Sequence, residues 1–323
     1  MAKGKVVLLS QNTEPEIQEL IYKHKIPEAN LVLVNPTDVS VVAKELADAD
    51  VIFLRSGRIS EKMVDGAKKL KLIHVPGQGT DRIPVEYATA KGIYVCNTGG
   101  ANALSVAELV MCLTIAVMRR VIPYSEQLRK GNFRTEGSVT ATHELYNKTV
   151  GIVGFGNIGR RVAGLMRGFG TDIIFYEKMD VPLPVMADFR AKKVSLEELL
   201  RTADIVTLHV PLLKSTRHMI GWEQLCMMKP TAYLINCARG PVIDEQALIR
   251  ALREKKIAGA ALDVFDPEPP LPDSPLFKMD NVITTPHIGA TAWENWEPRI
   301  KVVWDNIGRV LRGETPLNIV RES

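Results

Sequence analysis

Short apolar runs alternate with amphipathic segments along almost the whole chain. In the first hundred residues the apolar runs predict five strands, at Lys5–Leu9, Leu31–Val34, Val51–Leu54, Leu70–Val75 and Ile93–Cys96. Apolar positions at helical spacing between them predict four helices, at Pro15–His24, Val39–Ala47, Glu61–Lys68 and Val85–Lys91. Strands that alternate with helices in this way are typical of a parallel sheet.

A second series with the same alternation begins near residue 149. Its strands are predicted at Thr149–Val153, Asp172–Tyr176, Ile205–Val210, Ala232–Asn236, Gly259–Asp263 and Val282–Thr284. Its helices are predicted at Asn157–Phe169, Leu196–Thr202, Trp222–Met228 and Asp244–Lys255. The apolar runs show no polar alternation, as expected for strands that helices cover on both faces. The chain is therefore predicted to be an α/β protein with two doubly wound parallel sheets, Rossmann-like or flavodoxin-like.

Three further segments complete the predicted organisation. A long apolar helix at Ala103–Arg119 joins the two sheets, and the polar, mixed segment Pro123–Leu145 is interpreted as an arm or loop. A last helix is predicted from Ala292 to Arg312, in which Pro298 either kinks the helix or starts a new piece of it. No strand is predicted after this helix, so the tail is expected to pack onto an existing domain.

Composition narrows the class of protein. Of 323 residues, 46% are hydrophobic and 24% are charged, the balance of a globular chain of about two domains. The net charge of +4 is small and no basic stripe is visible, so nucleic-acid binding is not predicted. No signal peptide or membrane span is recognised, and the four cysteines form no C-x-x-C pair. We therefore expect a soluble, cytoplasmic protein with free thiols and no metal site.

A glycine-rich turn follows the first strand of the second series. Gly154, Gly156 and Gly159 form G-x-G-x-x-G between that strand and a helix, with Asn157 and Ile158 inside the motif. The first glycine permits a tight turn, the second lets the backbone approach a pyrophosphate, and the third lets helix and strand pack closely. The free N–H groups of the helix N-terminus attract phosphates. The context predicts a dinucleotide site.

Glu177 stands at the end of the next strand, where a carboxylate can accept hydrogen bonds from the adenosine ribose. It would repel a 2′-phosphate, so NAD is predicted in preference to NADP, although the adjacent Lys178 weakens that preference. The alternative interpretation of Glu177 is a solvated charge at a strand end.

Three later segments carry polar residues at the carboxyl ends of strands. They are Leu234–Gly240, Leu262–Pro269 and Thr285–Ala290, and Met228-Lys229-Pro230 precedes the first. In this order, these motifs resemble the D-isomer-specific 2-hydroxyacid dehydrogenase family over nearly the whole chain. The resemblance implies that residues 1–100 and 289–323 form a substrate domain, into which an NAD-binding domain of residues 101–288 is inserted.

The residue types in these segments suit hydride transfer to a 2-oxo acid. His287 can give a proton to the carbonyl oxygen and take it back in the oxidation direction. Glu268 can fix the tautomer of the imidazole and favour its protonated form. Arg239 offers a planar fork for the substrate carboxylate. By similarity to the family, His287 is the acid/base, Glu268 its partner and Arg239 the substrate anchor, although each residue alone could be an ordinary turn or surface residue.

The resemblance implies further contacts. Val210 and Pro211 would border the adenine pocket, with Thr216 in the loop that follows. Cys237 and Ala238 would line the nicotinamide side, and Asp263 would hydrogen-bond the carboxamide. The loop Pro76–Asp81 resembles the family's substrate-binding loop, so Gly77, Gln78 and Gly79 would form an anion nest from backbone N–H groups. Gln78 replaces a small apolar residue common there, and Cys237 a Thr or Ser.

Several alternatives stay open at this point. Formate or phosphite oxidation occurs on the same fold, but formate enzymes carry Gln in place of Glu268, and phosphite would need a cationic pocket around Gln78. A non-enzymatic NAD-sensing corepressor is a second class, which the lack of a long disordered or basic extension disfavours. A small anionic 2-oxo or 2-hydroxy acid is the predicted substrate, and its identity is left open. A homodimer is predicted from the family, with the apolar helix Ala103–Arg119 and the arm that follows it as the expected interface.

Overall fold

The computed structural model describes residues 3–133 and 140–320, and the chain divides into two compact units. Met1–Asn102 together with Ala292–Ser323 form one unit, here called the outer unit because it contains both ends of the chain. Ala103–Thr291 form the other, the inserted unit. Both divisions fall a few residues beyond the boundaries placed at 100 and 288 from the sequence. Of the predicted arm Pro123–Leu145, residues 134–139 lie outside the described residues.

The outer unit is a five-stranded parallel sheet in the order β2-β1-β3-β4-β5. Its strands are β1 (Gly4–Leu9), β2 (Ala29–Val34), β3 (Val51–Leu54), β4 (Leu72–His74) and β5 (Tyr94–Cys96). Its first helices are α1 (Pro15–Lys23), α2 (Val39–Leu46), α3 (Glu61–Gly66) and α4 (Val85–Ala90). Trp296–Leu311 add the last helix of the chain, α12.

Alternate residues of each outer-unit strand enter different cores. Val7 and Leu9 of β1 pack in the core that α2 contributes to, whereas Val6 and Leu8 pack in the core shared by α1 and α12. Helices therefore cover both faces of the sheet, which explains why these strands lack polar alternation. Pro298 is the third residue of α12, where its missing N–H costs no helical hydrogen bond, so it starts a helix and kinks none.

The inserted unit is a seven-stranded parallel sheet in the order β12-β11-β10-β9-β6-β7-β8. Its strands are β6 (Thr149–Val153), β7 (Asp172–Tyr176), β8 (Ala191–Lys193), β9 (Ile205–Leu208), β10 (Tyr233–Asn236), β11 (Gly259–Leu262) and β12 (Val282–Thr284). Its helices are α5 (Ala103–Met118), α6 (Val121–Arg129), α7 (Asn157–Arg167), α8 (Leu183–Phe189), α9 (Leu196–Thr202), α10 (Trp222–Met227) and α11 (Glu245–Arg253). Two parallel sheets confirm the predicted α/β class.

Three elements were not predicted from the sequence. Helix α6 lies mostly in the segment interpreted as an arm or loop, and none of its residues is buried. Helix α8 carries a proline in its first turn and also has no buried residue. Strand β8 has three residues at the sheet edge, two of them exposed lysines. The tail also forms more than a packed coil, because Ile319 pairs antiparallel with Cys96 of β5.

In each sheet successive strands are first added on one side of the first strand and later on its other side. This change of side falls between β1 and β3 in the outer unit and between β6 and β9 in the inserted unit. Ligands of such sheets bind outside the carboxyl ends of the strands at these points. Every segment singled out from the sequence follows the carboxyl end of a strand. Among the described residues, no helix is long and apolar enough to cross a membrane, and no three His, Cys, Asp or Glu side chains group as metal ligands.

Candidate active site

The glycine turn after β6 has the close packing that a pyrophosphate-binding turn requires. Gly154 has φ +97°, and a Cβ there would lie 2.8 Å from the carbonyl carbon of His209. A Cβ on Gly159 would lie 2.2 Å from the Gly154 carbonyl oxygen. Helix α7 then begins at Asn157 with Gly156 as its N-cap, and no atom would stand within 4 Å of a Cβ at Gly156. The helix N-terminus is therefore open to a phosphate.

Glu177 lies directly against this turn. Its Oε2 accepts a hydrogen bond of 2.9 Å from the backbone N–H of Phe155, and its Oε1 accepts one of 3.3 Å from Met179. The carboxylate is therefore held beside the glycine motif. A charge that was only solvated at a strand end would not be fixed in this way. A negative group at this place and an open helix N-terminus fit an adenosine ribose followed by a pyrophosphate. These residues would hold NAD.

The loops after β9 and β10 lie along the same edge. Val210 is half-buried and Pro211 is exposed, and the Thr216 hydroxyl donates to the Pro211 carbonyl at 2.6 Å, which closes the loop. Cys237 is buried, and burial, with the nearby Asp263 carboxylate, raises the pKa of its thiol. A thiol held neutral in this way has no role as a nucleophile.

Asn236 organises the segment that carries Ala238 and Arg239. Its side chain is fully buried, its Oδ1 accepts from the Ala238 N–H at 3.0 Å, and its Nδ2 donates to the Arg239 carbonyl at 2.9 Å. A buried Asn must find partners for both ends of its amide, and here it finds them in the turn. Our sequence analysis did not single out Asn236, although it stands inside the quoted motif.

His287 and Glu268 form a direct pair. His287 Nδ1 donates to Glu268 Oε2 at 3.0 Å, and Glu268 Oε1 accepts from the Phe265 N–H at 3.1 Å. Burial raises the pKa of the Glu268 carboxyl, but the hydrogen bond from His287 and the charges of His287 and Arg239 outweigh burial, so this pKa lies below its usual value. The pair is half-exposed, with 49% of the His287 side chain accessible. A carboxylate that stays ionised fixes the imidazole with Nδ1 as the proton-bearing nitrogen.

Asp263 shapes the loop that carries His287. Its Oδ1 accepts from the Thr285 hydroxyl at 2.6 Å and from the Ile288 N–H at 2.8 Å, and its Oδ2 accepts from the Gly289 N–H at 2.8 Å. His287 itself has φ +54° and donates its N–H to the Asp263 carbonyl. Asp263 is only 1% exposed, and its carboxylate holds this loop in place. The sequence predicted a contact of Asp263 with the cofactor carboxamide and did not reveal this structural role.

The loop that carries Arg239 packs against the loop that carries Glu268. A Cβ on the adjacent Gly240 would lie 1.8 Å from the carbonyl oxygen of Phe265, so the two loops touch backbone to backbone. Phe265 is the residue whose N–H binds Glu268, and the Arg239 charge also lowers the pKa of Glu268. Glu268 and His287 are thus in direct contact, and Arg239, in the same unit, is near enough for its charge to act on Glu268.

The loop Gly77–Gly79 follows β4 in the outer unit. Two of its carbonyl groups accept hydrogen bonds from the segment after β5. The Gly77 oxygen accepts from the Thr98 N–H at 3.2 Å, and the Gln78 oxygen accepts from Asn97 Nδ2 at 3.2 Å. Within residues 3–133 and 140–320, nothing accepts a hydrogen bond from the N–H groups of Gly77, Gln78 or Gly79. Three successive free N–H groups suit an anion.

Comparison with known proteins identifies relatives of this chain. The family model for the NAD-binding domain of D-isomer specific 2-hydroxyacid dehydrogenases matches residues 111–289. A D-3-phosphoglycerate dehydrogenase of Methanocaldococcus jannaschii is 44% identical over 86% of this chain, which spans about half (52%) of that relative's length. A glyoxylate reductase of Korarchaeum cryptofilum is 38% identical, over 89% of this chain and 87% of its own.

The solved structures include a D-lactate dehydrogenase of Aquifex aeolicus in complex with NAD and lactic acid. It superimposes with a TM-score of 0.83 at 30% identity, and 96% of each chain is covered. The family model accounts for more than half of the chain, and the relatives are named as dehydrogenases and reductases of hydroxy acids. The chain therefore belongs to the D-isomer-specific 2-hydroxyacid dehydrogenase family, whose members carry out NAD-linked hydride transfer between 2-hydroxy acids and 2-oxo acids.

Proposed function

We propose that this protein reduces a small 2-oxo acid to the D-2-hydroxy acid, or catalyses the reverse oxidation, with His287 as the acid/base. The observation that carries the proposal is the hydrogen bond of 3.0 Å between His287 Nδ1 and an ionised Glu268. With Nδ1 bound to the carboxylate, Nε2 is the nitrogen that exchanges a proton with the substrate oxygen. NAD(H) supplies or accepts the hydride at C2.

Arg239 is the proposed substrate anchor. Its guanidinium forms charge-assisted, paired hydrogen bonds with a carboxylate and stabilises the negative charge that develops on the carbonyl oxygen. The free N–H groups of Gly77, Gln78 and Gly79 are a second proposed contact for the carboxylate. Asp263 is proposed to hydrogen-bond the cofactor carboxamide in addition to holding the His287 loop.

Replacement of His287 tests the proposal. His287→Ala should lower kcat for a panel of 2-oxo acids by roughly 10²–10⁴-fold, because general acid catalysis is lost. Binding of NADH, measured by fluorescence titration, should be unchanged, because the glycine turn is intact. His218, a half-exposed histidine whose Nε2 lies 3.8 Å from Asp266 Oδ2, is the matched control, and His218→Ala should retain the wild-type rate. Full activity of His287→Ala would exclude His287 as the acid.

We infer NAD as the preferred cofactor from Glu177. Its carboxylate, held against Phe155, would repel a 2′-phosphate at the ribose position. The ratio of KM for NADPH to KM for NADH should therefore be well above one, and Glu177→Ser should lower this ratio. A wild-type preference for NADPH would contradict the inference.

Phosphite oxidation is a second candidate that one observation favours. It would need cationic groups around Gln78, and Arg299 donates from Nε to the carbonyl of Pro76 in the same loop. NADH production from NAD⁺ with phosphite, formate or D-2-hydroxy acids separates the candidates. Turnover of phosphite without turnover of any hydroxy acid would replace the first proposal by the second.

A further inference from the structure

A histidine that the proposed reaction does not use follows β9, at the carboxyl edge of the inserted sheet. The N–H of His209 donates to the Val153 carbonyl at 2.7 Å and so continues the pairing of β9 with β6. The carbonyl carbon and oxygen of His209 lie 2.8 Å from where a Cβ on Gly154 would stand. The backbone at His209 is therefore fixed against the turn that the pyrophosphate of NAD would occupy.

The imidazole of His209 lies on the same face of the sheet as helix α7. Ile205 of β9 packs in the core to which α7 contributes, whereas Leu208 packs in the core on the other face. Side chains alternate between the two faces along a strand, so Thr207 and His209 lie on the face of Ile205. This is the face on which α7 begins, directly after the glycine turn, with its N-terminus open to a phosphate.

The hydrogen bonds of the ring determine which nitrogen carries its proton. His209 Nε2 lies 2.9 Å from the hydroxyl oxygen of Thr207, and this is the only hydrogen bond of that hydroxyl within residues 3–133 and 140–320. Thr207 is fully buried, and a buried hydroxyl must donate its proton to an acceptor, so Thr207 donates and Nε2 accepts. Desolvation lowers the pKa of His209 to about 3, so the ring is neutral at pH 7 and its one proton is on Nδ1.

This Nδ1–H group is buried, and the described residues supply no acceptor for it. Buried donors without an acceptor are rare in proteins, and each one calls for an explanation. A phosphate oxygen accepts hydrogen bonds and is the ligand group expected beside the glycine turn. A neutral donor also suits this cofactor: NAD⁺ and NADH differ by one unit of charge, and an uncharged imidazole favours neither of them electrostatically.

We propose that His209 binds the pyrophosphate of NAD by donating a hydrogen bond from Nδ1 to a phosphate oxygen, and that Thr207 is the positioning residue that keeps the proton on Nδ1. The inference rests on the cofactor of the proposed function and deepens it. It adds a side-chain donor to the N–H groups at the N-terminus of α7. No proton is transferred at His209, and the exchange with the substrate oxygen stays with His287.

Two substitutions separate the donor from the ring. His209→Leu removes the donor and should raise the Kd for NADH, measured by fluorescence titration, by roughly 10- to 100-fold, the effect of one hydrogen bond to a charged group. His209→Asn keeps an N–H donor near the position of Nδ1, so its Kd should stay within roughly 3-fold of the wild-type value. His218→Leu changes a half-exposed histidine in the loop after β9 and should leave the Kd unchanged.

Competition against NADH identifies the part of the cofactor that His209 contacts. His209→Leu should weaken the binding of ADP-ribose, which contains the pyrophosphate, by the same factor as that of NADH. The binding of adenosine, which lacks the pyrophosphate, should not change. An equal loss for adenosine, or no loss for ADP-ribose, would place the contact elsewhere on the dinucleotide and overturn the proposal.

The position of the proton can be measured without changing His209. Nitrogen-15 NMR of histidine-labelled protein distinguishes the two tautomers, and the signals of His209 are identified among those of the six histidines by their loss in His209→Asn. The wild type should carry the proton on Nδ1, and Thr207→Val should move part of it to Nε2. A wild-type proton on Nε2 would overturn the proposal even if His209→Leu did not fold.

The outcomes separate this inference from the proposed function. An unchanged Kd for NADH in His209→Leu would overturn the role of His209 and leave the proposed function standing. A wild type that binds NADH with the predicted dependence on His209 but reduces no 2-oxo acid would overturn the proposed function and leave the role of His209 standing. A wild type that binds neither NADH nor ADP-ribose would overturn both.

Discussion

Glu268 divides its carboxylate between two partners, Phe265 through Oε1 and His287 through Oε2. Glu268→Gln keeps the size of the side chain but removes the charge that stabilises the imidazolium. Because reduction needs protonated His287, the pH at which reduction is half-lost should move to lower values, and kcat near pH 7.5 should fall. The measurement is the pH profile of kcat/KM for 2-oxo acid reduction.

Glu245 provides the control for this substitution. Its Oε2 accepts from the Asp266 N–H in the same loop, and burial, with the Asp266 charge, raises the pKa of Glu245. Glu245→Gln changes a nearby carboxylate that does not contact His287, so the profile should stay where it is. An unmoved profile in Glu268→Gln would remove Glu268 from its role.

At the scale of elements, the loops after β10 and β11 function as one piece because Gly240 touches the Phe265 backbone. Gly240→Ala should destabilise the protein by about 1–3 kcal/mol, as overpacking does, and raise KM for the 2-oxo acid, because Arg239 moves with the loop. Gly66→Ala is the matched control, since nothing lies within 4 Å of a Cβ there. The melting temperature and KM of each variant are the measurements. A Gly240→Ala protein with wild-type values for both would disprove the coupling of the loops.

A buried histidine links β4, α12 and the tail. His74 Nδ1 donates to the Val75 carbonyl and Nε2 accepts from Asn306, whose Oδ1 binds the Leu317 N–H. Burial lowers the pKa of His74 to about 4, below the unfolded value of about 6.5. The unfolded chain then binds more protons between these values, so stability is fully present above pH 6.5 and is lost as the pH falls towards 4.

This linkage predicts an acid-sensitive fold. The His74 contribution amounts to up to about 3 kcal/mol, lost between pH 6.5 and 4. The melting temperature should therefore fall less steeply over this range in His74→Gln than in the wild type. His24, a partly exposed histidine of the same unit, serves as the control, and His24→Gln should reproduce the wild-type slope. Equal slopes for His74→Gln and the wild type would refute the linkage.

The elements with a continuous apolar run could be located from the sequence almost to the residue. Strands β3, β6, β7 and β12 have the predicted bounds, because strands of a sheet covered on both faces consist mostly of apolar residues. Helix α6 was not found, because Pro123 interrupts its few apolar residues and the polar, mixed sequence that follows is typical of a loop.

The candidate site divides along a similar line. The glycine turn and the His287, Glu268 and Arg239 motifs are local patterns with a chemical reason, so they can be read from one sequence. The bonds of Asp263 to Thr285 and of Arg299 to Pro76 join residues far apart in the chain. Such contacts depend on the path of the backbone, which no spacing rule encodes.

At the scale of the whole molecule, α6 carries the exposed apolar surface that the predicted homodimer needs. The interface was expected on α5 and the arm that follows it, and most apolar side chains of α5 are buried in the core of its own unit. Most of α6 lies in that arm. On α6, Val121, Ile122 and Leu128 are each about half exposed. Exposed apolar clusters of this kind mark contact surfaces. We predict a homodimer that α6 holds together.

Light scattering measures this directly. The wild type should have twice the mass of one chain, and Ile122→Glu combined with Leu128→Glu should have the mass of one chain, because charges would be buried in the interface. Leu183, exposed on α8, is the control, and Leu183→Glu should remain a dimer. A wild-type monomer, or a dimer that survives the double substitution, would contradict the prediction.

The discontinuity of the outer unit has a consequence for biosynthesis. Trp304 of α12 is buried among residues from the start of the chain and donates its indole N–H to the Ile21 carbonyl. During translation α1 is therefore the only helix on this face of the sheet until α12 has been synthesised, and the surface that α12 covers stays exposed. The inserted unit is complete before that moment and can fold first, so nascent chains depend on protection of the N-terminal half from aggregation.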